Sequence, residues 1–263
     1  MSVVFLGTSD FAAAVLERLA RSERHRPALV LTRPDRPSGR GRRLTAPPVA
    51  IRARELGVEL EQPDSVNDEH ARALIAAAGE TAGEAGATPR QTVVVCAFGA
   101  LIREPLLSEH ELVNVHPSLL PRWRGAAPIE RALMTGDERT GVSIMRLTAG
   151  LDDGPVCLTE SEPIDPADDF ATLSARLQRV AGELLVRALE QRPRYRAQGE
   201  DGVTYAEKIT AADRLLDPAR PAAELERVVR APTCGCSART TRSSSAAGRA
   251  GSSSRSAAVI FSA

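Results

Sequence analysis

The sequence predicts an α/β fold, an open and mostly parallel sheet with helices on both faces. Three observations predict it. Short β-branched runs at residues 3–6 (VVFL), 28–32 (ALVLT) and 92–97 (TVVVCA) are each bounded by Gly, Pro or charged residues, the pattern of strands buried on both faces. The segments between them repeat apolar residues at helical spacing. Strand, helix and strand follow one another at intervals that suit parallel crossovers. A chain of 263 residues, 43% apolar and 26% charged, has material for one large domain and an appendage, and this mix excludes a chain disordered throughout.

Taken in order, the first strand leads through GTSDF into a helix whose Phe11, Val15, Leu16 and Leu19 share a face, with Ser9 or Asp10 as its cap. Residues 33–54 hold seven arginines and one acid, and SGRGRR within them is too rich in Gly for a helix interior, so a mobile basic loop is expected. Pro47 and Pro48 open a helix that ends at Gly57. An Ala-rich helix at 71–78 precedes GETAGEAGATPR at 79–90, read as a surface insertion without chemistry. ELVNVH at 111–116 reads as a strand, followed by a helix near 129–134 and a strand near 142–147. Residues 169–192 form one amphipathic helix with Leu173, Leu177, Val180, Leu184, Leu185 and Leu189 on its apolar face. Residues 204–210 read as a linker and 221–231 as a short helix.

After Ala231 the composition breaks. Residues 232–258 contain no Leu, Ile, Val, Met, Phe, Tyr or Trp, so a disordered tail is expected, and a frame-shifted or otherwise corrupted end is preferred over a functional basic tail.

Charge and cysteine content exclude several function classes. The 34 basic and 34 acidic residues balance, so any nucleic-acid or membrane partner must be held by a local patch. Lys208 is the one lysine among 33 arginines, a bias read as coding rather than function. There is no apolar stretch of membrane-spanning length, and MSVVFLGTSD lacks a basic n-region, so a cytoplasmic protein without a membrane partner is expected. Cys96, Cys157, Cys234 and Cys236 are too few and uneven for a disulfide framework, and no His and Cys spacing suggests a metal site. GTSDF lacks the GxGxxG spacing, and GxxxxGK[ST] does not occur, so neither NAD, FAD nor an NTP-hydrolysing P-loop is expected.

Chemistry concentrates in residues 114–154. Period-two geometry puts Asn114 and His116 on one face of their strand while Val113 and Val115 point to the other, and carboxyl ends of strands in open α/β sheets are where ligands bind. LDDG at 151–154 adds the carboxylates of Asp152 and Asp153 on a tight turn. The Gly-punctuated arginines of residues 33–54 are either solvated surface or a clamp for phosphates.

The segments VVFLGTSDFAAAVLERL, TRPDRPSGRGRRLTAPPV, VVVCAFGALI and NVHPSLLPRWRGAAPIERALMTGD…TGVSIMRLTAGLDDGPV resemble the methionyl-tRNA formyltransferases among the folate-dependent formyltransferases, from residue 2 to about 231. The resemblance implies a Rossmann-like catalytic domain at 1–192, a linker and short helix at 193–231, and an aberrant tail at 232–263 where the family has a small β-barrel. It implies transfer of a formyl group from 10-formyltetrahydrofolate to the α-amine of methionyl initiator tRNA; separately, a monomer without a metal is expected. The family's catalytic trio falls on Asn114, His116 and Asp152, with Asp153 where Thr is usual, so which carboxylate faces the site is left open. Its folate-lining segment falls on Ser118, Leu119, Leu120 and Pro121. Its tRNA-contacting loop arginine falls on Arg40, with Arg42 and Arg43 beside it. On this reading His116 and the Asn114 amide stabilise a tetrahedral oxyanion, and Asp152 orients His116, keeps it cationic and accepts the amine's proton. The alternatives are a folate-dependent formyltransferase for another amine, such as a sugar nucleotide or glycinamide ribonucleotide, or a non-catalytic folate- or RNA-binding remnant.

Overall fold

The computed structural model describes residues 2–38, 41–80, 91–231, 238–240 and 259–261. β1 (Val3–Gly7) runs into α1 (Asp10–Ala20), and Ser9 is the cap, its hydroxyl accepting from the Ala12 N–H. β2 (Pro27–Leu31) is followed by a hairpin of β3 (Arg36–Ser38) and β4 (Arg43–Thr45), then α2 (Pro48–Leu56). α2 ends at Gly57, whose left-handed φ of +62° suits glycine. β5 (Glu59–Glu61), α3 (Glu69–Glu80), β6 (Thr92–Cys96), the short α4 (Leu106–Glu109) and β7 (Glu111–His116) complete the first half. The second half runs β8 (Arg124–Gly125), α5 (Pro128–Thr135), β9 (Arg139–Arg146), β10 (Val156–Pro163), α6 (Phe170–Gln191), β11 (Tyr205–Ala206) and α7 (Ala222–Arg230). Within the tail, β12 (Ala238–Thr240) pairs antiparallel with β13 (Val259–Phe261), and the rest of the tail, Cys234 and Cys236 included, lies outside the described residues.

Seven strands form one sheet in the order β10-β9-β7-β6-β1-β2-β5. β5, β2, β1, β6 and β7 are parallel, and β9 and β10 add antiparallel pairings at one edge. The mostly parallel α/β class read from the sequence is therefore the observed one. Alternation divides the strands between two apolar layers. Val3 and Phe5 join α1, α2, α5 and α6 on one face, and Val4 and Leu6 join α3 and α4 on the other. α1 lies across α6, where Leu16, Leu19, Leu177 and Leu184 are buried.

One local reading changes, and one strand went unread. Residues 33–54 are expected as a mobile loop, yet they fold into the β3–β4 hairpin and most of α2. The hairpin root is pinned to the sheet: Arg33 donates to the Gly99 carbonyl, and Gln62 donates to the Arg33 carbonyl and the Asp35 carboxylate. β10 is the strand that went unread. An exposed edge strand of sequence VCLTESEP carries no strong apolar signal, because one of its sides faces water.

Candidate active site

β7 builds the centre of the site. Val113 and Val115 enter the layer formed with α6, so alternation turns Asn114 and His116 to the opposite face, as their spacing predicts. Both are buried, with 8% and 4% of their surface exposed.

The loop after β9 folds back over this face and brings a carboxylate to the pair. Asn114 Nδ2 donates to Asp152 Oδ1 at 3.3 Å, and His116 Nδ1 lies 3.6 Å from Asp152 Oδ2. The Gly125 backbone N–H donates to the same Oδ2 at 2.9 Å. Three side chains from two separate segments therefore converge. Asp152 holds a left-handed φ of +47°, a conformation that costs a non-glycine residue about 1–3 kcal/mol and persists only where its surroundings enforce it. Asp153 turns away and accepts from the Thr148 hydroxyl at 2.5 Å, so Asp152 is the carboxylate that faces Asn114 and His116.

The turn after β7 fixes the imidazole. His116 Nε2 lies 2.8 Å from the Trp123 carbonyl, which can only accept, so Nε2 carries the ring hydrogen. Trp123 is itself held, its indole N–H donating to Asp137 and its backbone N–H to Thr204 Oγ1. Arg122 stacks on the indole and makes two bonds to the same Asp137, and that carboxylate raises the Arg122 guanidinium above its ordinary pKa. A larger residue at Gly125 would be strained: its φ is +119°, and a Cβ there would stand 2.9 Å from the Ala206 carbonyl oxygen.

The SLLP segment divides. The buried Ser118 hydroxyl donates to the Arg122 carbonyl, while its own carbonyl accepts from Ser143, so this residue braces the turn. Leu119 packs against Gly141. Leu120 and Pro121 line a cleft of about 700 Å³ whose other walls are β10 and residues 193–199. Arg42 and Arg43 belong to the hairpin, with Arg43 exposed in β4, whereas Arg40 lies outside the described residues. The Arg33 bond to Gly99 sets the hairpin root beside the loop that leaves β6, at the carboxyl edge where Asn114 and His116 emerge.

Two residues of the site, Gly125 and Gln198, were not foreseen from the sequence. Gln198 Nε2 donates to the carbonyls of Asp152 at 2.8 Å and Gly154 at 2.7 Å, and its Oε1 accepts from Arg124 Nε and Nη2. An isolated Gln or Gly in a loop carries no signal of such a role. Burial pushes the Cys96 and Cys157 thiols up, away from thiolate chemistry at neutral pH. Among the described residues no group of three or more His, Cys, Asp or Glu side chains is placed to hold a metal ion. Nor is any helix long and apolar enough to cross a membrane.

The chain as a whole has relatives among known proteins. Residues 1–189 match the formyl transferase family. Methionyl-tRNA formyltransferase of Halorhodospira halophila is 43% identical over 239 residues, covering 87% of this chain and 72% of that protein. The Dechloromonas aromatica protein of the same name is 44% identical, with 88% and 73% covered. The chain belongs to the methionyl-tRNA formyltransferase family. Solved structures share the fold at lower identity. A sugar N-formyltransferase from Shewanella superposes with a TM-score of 0.64 at 17% identity, covering 89% of each chain. Phosphoribosylglycinamide formyltransferase from Bacillus halodurans gives 0.56 at 22% identity, covering 73% of this chain and 95% of that one. Family membership and the seven-stranded sheet agree with the resemblance noted in the sequence.

Proposed function

We propose that this protein transfers a formyl group from 10-formyltetrahydrofolate to the α-amine of initiator methionyl-tRNA. The reading is carried by one observation: Asp152 meets both Asn114 and His116 at the carboxyl edge of the sheet, in a chain of the methionyl-tRNA formyltransferase family. Residues 1–192 form the catalytic unit and 193–231 the connector. The protein acts as a monomer in the cytoplasm.

The donor, a folate, supplies the activated formyl group. The faces of its pterin and benzoyl rings fit the surfaces on offer, the cleft lined by Leu120 and Pro121 and the exposed Leu151 side chain next to Asp152. Asn114 spends one amide hydrogen on Asp152 and keeps the second for the formyl oxygen as that atom gains charge. His116 was expected to share this duty, but its Nε2 is engaged by the Trp123 carbonyl. Its Nδ1 faces Asp152 instead, and the pair takes the proton that the attacking amine loses and returns a proton to the departing folate nitrogen, so the exchange balances. Arg40 enters the acceptor end of the tRNA, and Arg42 and Arg43 contact its phosphates.

Formylation assays offering initiator methionyl-tRNA, a sugar-nucleotide amine and glycinamide ribonucleotide in parallel test this reading. It expects turnover with the tRNA and none above background with the other two. Turnover only with a small amine would overturn it.

A further inference from the structure

Gln198 stands where three separate segments meet. It belongs to the connector between α6 and β11, and its side chain uses both its donor and its acceptor atoms. The amide nitrogen bonds the carbonyls of Asp152 and Gly154, on either side of the turn that presents the Asp152 carboxylate. The amide oxygen takes both the Nε and Nη2 hydrogens of Arg124. Arg124 precedes Gly125, whose N–H holds Asp152 Oδ2. One side chain thus grips the backbone of the carboxylate and the neighbour of the group that orients it.

The connector is fastened on both sides of Gln198, so the position of its amide is not left to chance. Before it, Arg196 and Val156 exchange two backbone bonds of 2.8 and 2.9 Å. After it, Tyr205 and Ala206 pair with Arg124 and Gly125 in the β8–β11 ladder. Asp152 needs such support, because its left-handed backbone relaxes unless its neighbours enforce it.

We propose that Gln198 is a positioning residue for formyl transfer: it locks the Asp152 turn so that the carboxylate meets Asn114 and His116, and thereby makes residues 193–206 part of the catalytic machinery. The inference rests on the role of Asp152 proposed above. Gln198 acts through the Asp152 peptide, so its loss is felt in the chemical step and not in the capture of either substrate.

The test uses the full chain in steady-state formylation of initiator methionyl-tRNA with two variants. Gln198→Met removes every hydrogen bond at similar volume. Gln198→Glu keeps an acceptor for Arg124, which guards the fold, but sets a carboxylate against two carbonyl oxygens. Each variant is expected to lower kcat at least about tenfold while the KM for donor and for tRNA stays within about threefold. Added to Asp152→Asn, Gln198→Met is expected to cost nothing further, because its effect passes through Asp152. A kcat within about twofold of the parent in a folded Gln198→Glu would overturn the inference, as would a loss confined to the donor KM, which marks a direct ligand contact, or a loss that adds in full to that of Asp152→Asn. Asp152→Asn with parental activity would be a separate failure, of the site itself and of this inference with it.

Discussion

Asp152 and Asp153 are neighbours in the chain whose carboxylates point in opposite directions. Asp152 takes hydrogen bonds from the Gly125 N–H and the Asn114 amide, while Asp153 turns back over Gly150 to the Thr148 hydroxyl. Asp152 does this from a left-handed backbone, with φ of +47°. Asp152→Asn is therefore expected to reduce formylation about a hundredfold or more, and Asp153→Asn to stay within a few-fold of the parent. Initial rates of the two purified variants check this, and equal losses would contradict it.

Gly125→Ala should also be damaging, though less so than a change to the carboxylate itself. The added methyl group meets the Ala206 carbonyl at 2.9 Å and the residue must abandon its φ of +119°, which moves the N–H away from Asp152. A loss of about tenfold or more in kcat is expected, and a parental kcat would show that this N–H is dispensable.

How much of this was legible beforehand depends on the range of the interaction. Asn114 and His116 could be read from the residues because alternation is a local rule: Val113 and Val115 declare the buried face, and the polar pair must take the other. Asp152 could not, since LDDG alone is only a turn and the resemblance supplied its role. The contacts of Gln198, 46 residues from Asp152, and of Thr204, 81 from Trp123, depend on how a connector folds back over the sheet, which no local pattern encodes. The β3–β4 hairpin went unseen because its strands are three residues long and basic, and β10 because an edge strand needs little apolar sequence.

The basic hairpin makes a prediction about salt. If Arg42 and Arg43 contact tRNA phosphates, replacing either by Ala should weaken binding of all tRNAs alike and reduce the slope of log affinity against log salt by about one. Filter binding over a salt series measures both. Tight binding indifferent to salt would exclude a phosphate clamp.

Acid stability should report on Asp168. Arg176 bonds both of its oxygens at 2.6 Å and, with help from the Asp165 N–H and the Thr172 hydroxyl, outweighs burial and holds the carboxyl at about 2, below the ordinary 3.8. A folded-state pKa below the unfolded one contributes stability that is present above about pH 4 and is lost as pH falls toward 2, on the order of 2 kcal/mol in all. Asp168→Asn should therefore lower the denaturant midpoint at pH 7 and flatten its decline below pH 4. An unchanged midpoint at pH 7 would contradict the ion pair's contribution.

The central claim is that Asn114, His116 and Asp152 act together on one formyl group. Single-turnover formylation of initiator methionyl-tRNA by Asn114→Ala and His116→Ala, with melting curves to establish that each is folded, tests it most directly. The account predicts a loss of about two or more orders of magnitude in each variant. Rates within a few-fold of the parent in either would contradict it.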